Sequence, residues 1–242
     1  MIKQLIKIFA ATVLITQLHP FICDAIEFKG MSYCGWSQYS YSTTDSNNSL
    51  ANLQQTGCQW VAINVWWFQD TIYSTVIEPN YLLYSVRPES VKVAVDRCHQ
   101  LGMKVMLKPN VDLAHDSDHW RGQIVPSTAW FNAYRGFINY WADFAEQNNV
   151  ELFSIGCELV NTSSWADAWR SVASDVRTHY SGPIVYAANS GDEQNINWWD
   201  SLDYIGIDAY YQLTNLYNPT PAELAAAWTS RANSIETWRN AN

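Results

Sequence analysis

The chain has 242 residues, 48% of them apolar and only 15% charged, with a net charge of −9. That is length enough for one domain with a substantial core and too apolar for a disordered chain. Its acidic balance, with no cluster of Lys and Arg, argues against nucleic-acid partners or an anionic membrane surface.

The first 25 residues read as a secretory leader. Lys3 and Lys7 precede a mostly apolar run from Ile8 to Leu18, and Cys23-Asp24-Ala25 supplies small residues for cleavage after Ala25. The run is short for a bilayer span, so the expectation is a soluble, secreted or periplasmic protein whose domain covers 26–242. Losing two Lys and one Asp with the leader takes the charge to −10. Four cysteines remain, at 34, 58, 98 and 157, which allow three full pairings in an oxidising compartment, and Cys58–Cys98 is the pair we expect because both lie away from the strand C-termini. Asn47-Asn48-Ser49 and Asn161-Thr162-Ser163 are glycosylation sequons.

From residue 28 short apolar runs alternate with amphipathic ones. Strands are expected at Phe28–Tyr33, Trp60–Val65, Lys104–Lys108, Leu152–Ile155, Ile184–Ala187 and Tyr204–Ile207. Helices are expected at 45–57, 88–101, 127–148, 164–180 and 220–240, several with polar caps before them and Gly102 or Gly182 after them. Apolar strands alternating with helices predict parallel pairing and an α/β fold. Tyr33-Cys34-Gly35-Trp36-Ser37 follows the first strand where a dinucleotide fold would carry a glycine-rich phosphate loop. Polar and aromatic residues gather after nearly every strand, which favours a (β/α)8 barrel working at its C-terminal face. About six of the eight βα units are present, so the barrel is incomplete.

The strand ends carry the candidate site: Trp36; Trp66 and Trp67; Lys108, Asn110 and Asp112; Glu158; Asn189; and Asp208, Tyr210 and Tyr211. Trp66 and Trp67 point to opposite faces of a strand, so one can stack on a sugar ring while the other packs on a helix. Lys108 requires a carboxylate or a ligand, with Asp112 or Glu158 as internal partners, and Asp208 is either a cap or a group facing the barrel mouth. His115 and His119, flanked by acids, form a candidate zinc or calcium pair, against a plain solvated loop; the expectation is no metal and no cofactor. Cys157 reads as a small buried residue rather than a nucleophile, since no His neighbours it in sequence.

Taken together, Gly30-Met31-Ser32-Tyr33, the Val105–Asp112 run, Trp120-Arg121-Gly122, Ser154-Ile155-Gly156-Cys157-Glu158-Leu159-Val160 and the Asp203–Tyr211 run resemble glycoside hydrolase family 113 from about residue 27 onward. This is a family of (β/α)8-barrel β-mannanases in a clan of retaining glycosidases. The resemblance implies a double displacement on β-1,4-linked polysaccharide, with Glu158 as acid and then base. Trp120 and Arg121 are added to the substrate-contacting set. A second glutamate, at the end of the seventh strand, would attack the anomeric carbon from a carboxyl about 5–5.5 Å away. Two positions depart from the pattern: Cys157 stands where many clan members have Asn, and Asn110 where the family motif has His. One helix follows Tyr211 and the chain reaches Asn242, so strands seven and eight and the nucleophile are absent. The expectation is therefore a truncated chain, monomeric and inactive alone. A non-catalytic carbohydrate-binding relative is the alternative.

Overall fold

The computed structural model describes residues 28–241, so the expected leader, its expected cleavage site and Cys23 lie outside the described residues. Six strands form one parallel sheet in chain order: β1 (Gly30–Cys34), β2 (Trp60–Gln69), β3 (Lys104–Leu113), β4 (Leu152–Cys157), β5 (Ile184–Asn189) and β6 (Tyr204–Asp208). Between and after them run α1 (Thr44–Gln55), α2 (Pro88–Gln100), α3 (Thr128–Gln147), α4 (Ala166–His179) and α5 (Pro221–Ala241). All eleven expected elements are present.

The sheet is curled. In a flat sheet β3 and β6 would lie three strand spacings apart, about 14 Å, yet Lys108 Nζ on β3 reaches Asp208 Oδ1 on β6 at 2.7 Å. At the other end, the Phe28 ring touches both Trp60 of β2 (4.8 Å between centroids) and Tyr204 of β6 (5.3 Å). This is the curvature of an open (β/α)8 barrel with six of its eight units.

Register sorts the side chains. Gly30, Ser32 and Cys34 pair with Trp60, Ala62 and Asn64, and the same row continues through Lys104, Met106 and Lys108. This row faces inward around a cavity of about 340 Å³ lined by, among others, Ser32, Ala62, Met106, Val185 and Asp208. The alternate row (Val61, Ile63, Val65, Val105, Leu107) is fully buried beneath the helices. Against it α3 lays Trp130, Tyr134, Phe137, Ile138 and Trp141, each at most 1% exposed.

Three expectations are corrected here. β2 and β3 run four and five residues past their expected ends, because Trp66–Gln69 keeps pairing with Asn110–Leu113. Trp67 belongs to the outward row and packs against Phe137, Tyr140 and Trp141 of α3, so its ring lies on the helix side of the sheet and away from the inward row. Cys58 and Cys98 are both free thiols. Burial pushes the Cys98 thiol up to about 12, while Cys58 Sγ donates to Trp60 O at 3.1 Å.

Candidate active site

The site is built around the end of β4. Gly156 is required there: a Cβ would sit 2.8 Å from the Tyr186 ring and 2.9 Å from Tyr134 Oη. Those two buried hydroxyls clamp the strand's exit, Tyr134 donating to Ile155 O at 2.8 Å and Tyr186 accepting from Leu159 N at 2.9 Å. Between the clamps, Glu158 N donates to Ala187 O at 2.8 Å, and the residue adopts a left-handed φ of 55°. A non-glycine residue held in this region is strained by about 1–3 kcal/mol, and such strain gathers at functional sites.

That conformation turns the Glu158 carboxyl into the strand-end mouth with 16% of its side chain exposed. Burial raises its pKa, and the Asp208 carboxylate adds to the rise. Arg121 and Lys108 pull it back, and Asp112 again raises it. Arg121 Nη1 donates to Glu158 Oε2 at 3.3 Å. A carboxyl whose proton affinity is raised in this way can hold a proton and release it to a departing oxygen.

Asp208 faces Glu158 across the mouth. Lys108 Nζ donates to both its oxygens, at 2.7 and 2.8 Å, and Cys157 Sγ donates at 3.2 Å. Burial opposes the charge on Lys108, but Cys157 and Asp208 more than offset it and its pKa is raised. The partner of Lys108 is thus Asp208, not Asp112 or Glu158 as expected. Burial lifts the Cys157 thiol to about 12, which leaves it protonated and unfit as a nucleophile at neutral pH. Cys157, Glu158 and Asp208 have ligand atoms within 4.8 Å of one another, and they are the one such group among the described residues. Lys108 already engages both Asp208 oxygens, so the set suits an ion pair rather than a cation. The His115–His119 pair does not converge: His115 Nδ1 meets Asp70 at 3.0 Å and His119 Nδ1 meets Asp116 at 2.6 Å.

Asp112 holds Arg121 Nη2 at 3.1 Å and accepts from the Tyr84 hydroxyl at 3.0 Å. Tyr84 in turn lies edge-on to Trp36 and Trp66, which stack on each other at 5.0 Å and 25°. Trp66 is 6% exposed and Trp36 63% exposed, so the first backs the second and leaves one indole face to solvent. The carboxyl and the indole platform therefore share one rim, joined through three side chains.

Other expected contacts divide. Asn189 ends β5 beside Asp208 in the inward row. Trp120 and Tyr210 are exposed, Tyr210 at 87%. Two expectations are corrected. Asn110 is buried and donates to Lys108 O at 2.8 Å and to Asn64 Oδ1 at 3.3 Å, which spends its amide inside the sheet. Tyr211 donates to buried Glu193 at 2.9 Å and lies under Arg231 of α5, so its hydroxyl and one ring face are engaged within the protein. Sequence reasoning missed Tyr84, Asn64, Tyr134 and Tyr186. Tyr84 lies in the 70–87 connection, whose Tyr81-Leu82-Leu83-Tyr84 run beside two strand-end tryptophans was the one available signal.

The model of Glycoside Hydrolase Family 113 matches residues 31–240. Among solved structures, a GH113 β-1,4-mannanase is similar at TM-score 0.76 and 28% identity, over 88% of this chain and 68% of that one. The GH113 β-mannanase AaManA from Alicyclobacillus acidocaldarius, in complex with ManMIm, is similar at TM-score 0.75 and 25% identity, over 88% and 67%. No curated protein matches in sequence.

Proposed function

This chain belongs to glycoside hydrolase family 113, and we propose that it acts on β-1,4-linked mannan through a retaining double displacement with Glu158 as acid and base. The observation that carries this reading is the Glu158 carboxyl itself. It is held by a strained backbone at the barrel mouth, its proton affinity is raised by burial and by Asp208, and it shares a rim with the exposed Trp36 indole. The similar structures named as β-mannanases support the substrate class.

In the first step Glu158 gives its proton to the leaving glycosidic oxygen while a second carboxylate attacks the anomeric carbon. In the second step Glu158 takes a proton from the water that releases the sugar. Asp112 and Asp208 are the other carboxylates at this mouth, and they are engaged by Arg121 with Tyr84 and by Lys108 with Cys157. We therefore assign the attacking group to neither of them but to a second carboxylate outside the six described strands. We assign the protein to a secreted or periplasmic location on the strength of the leader motif, acting as a monomer on a polysaccharide or oligosaccharide.

The test is Glu158→Gln in a form that carries all eight βα units. Reducing-end release from β-1,4-mannan is expected to fall by about 10²–10⁴-fold, with oligosaccharide binding retained. Undiminished release would overturn the assignment of Glu158. Binding without release even in the unsubstituted eight-unit form would favour a carbohydrate-binding relative.

A further inference from the structure

We propose that Tyr84, Asp112 and Arg121 form a positioning relay that ties the Trp36–Trp66 platform to the Glu158 carboxyl and sets how tightly that carboxyl holds its proton. The relay rests on the reading of Glu158 given above, but its test needs no turnover.

The geometry is a chain of three polar contacts. The Tyr84 hydroxyl donates to Asp112 Oδ2 at 3.0 Å, Arg121 Nη2 donates to the same oxygen at 3.1 Å, and Arg121 Nη1 reaches Glu158 Oε2 at 3.3 Å. Arg121 and Asp112 each expose 21% of their side chains and Glu158 16%, so solvent screens the chain only partly. One guanidinium is therefore shared between two carboxylates. Whatever strengthens its hold on Asp112 weakens its service to Glu158, because a planar fork cannot be ideally placed on both.

Tyr84 decides that sharing from outside. Its ring is fixed edge-on against Phe68 (4.8 Å), Trp36 (5.4 Å) and Trp66 (5.7 Å). The hydroxyl's position thus follows the aromatic cluster, of which the exposed Trp36 ring is part. Burial and Asp112 raise the Tyr84 pKa to about 12, so it remains a donor at any working pH. The charged and titratable groups facing Glu158 are Lys108 and Asp112 from β3, Arg121 from the loop after β3, Asp208 from β6 and Cys157 from its own strand. Of these, Lys108, Asp208 and Cys157 contact one another, and Arg121 Nη1 also reaches Cys157 Sγ at 4.0 Å, whereas Tyr84 and Asp112 touch none of the three and act on Glu158 through Arg121 and through the Asp112 charge.

Asp112 carries the opposite sign to Tyr84 and Arg121. Removing the Tyr84 hydroxyl leaves Asp112 with fewer donors, so it draws Arg121 and Glu158 holds its proton more tightly. Removing the Asp112 charge frees Arg121 for Glu158 and also removes a repulsive neighbour, so both effects weaken the hold. Removing Arg121 strengthens it.

The experiment follows the Glu158 side-chain carboxyl by carbon NMR in 13C-glutamate-labelled protein of the full 242-residue chain, assigned by its loss in Glu158→Gln. Tyr84→Phe and Arg121→Gln are expected to move the titration midpoint up, and Asp112→Asn to move it down. Tyr84→Phe keeps the ring, and its thermal melt checks that the aromatic cluster is intact. A Tyr84→Phe midpoint equal to the unsubstituted protein's would overturn the relay, as would an upward shift in Asp112→Asn. Either failure leaves the hydrolysis test of Glu158 untouched.

Discussion

At Glu158 the chain accepts two unfavourable conditions at one residue: a left-handed backbone and a partly buried carboxyl. The second makes a prediction about stability. Because the folded-state pKa is raised above 4.5, the group's contribution is fully present below pH 4.5 and is lost as pH rises through the folded value. Glu158→Gln, which keeps shape without charge, is therefore expected to melt at a higher temperature than the unsubstituted protein at pH 7. The two melts should converge below pH 4.5. A variant equal or less stable at pH 7 would show that Arg121 outweighs burial and Asp208. Glu158, Trp36 and Asp208 were legible in the sequence because each sits just after an apolar strand. The Lys108–Asp208 pair was not, since its members are 100 residues apart and which strands face each other depends on the curl. Nor was Tyr84, which lies in a connection without periodicity.

At the scale of elements, strand and helix identity followed from apolar runs of strand length alternating with amphipathic ones. The ends of β2 and β3 did not follow. Pro109 sits inside β3 opposite Val65, where a proline ordinarily marks an edge or an end, and the paired extension beyond it places Trp66 and Asp112 at the rim. Alternation along that extension separates two neighbouring tryptophans by role, and their substitutions should separate likewise. Trp67→Ala removes a ring packed on α3 and is expected to cost about 3 kcal/mol in denaturant unfolding. Trp36→Ala removes an exposed ring (63%) and should change stability by less than about 1 kcal/mol while weakening mannohexaose binding about tenfold. The reverse pattern would mean that the inward and outward rows have been exchanged.

Across the whole molecule, the six described strands leave β1 and β6 each paired on one side, and α5 has no buried residue. Curvature comes from the interior: a cation on β3 against a carboxylate on β6 at one end, and Phe28 spanning β2 and β6 at the other. The same curl brings the β1–β2 platform and the β4 carboxyl onto one rim, which is the central claim. The most direct measurement adds β-1,4-mannohexaose to the 242-residue protein labelled at both glutamate and tryptophan and follows the Trp36 indole and Glu158 carboxyl resonances together. The account predicts that both shift over the same concentration range. A ligand that moves Trp36 and leaves Glu158 unmoved at saturation would contradict it.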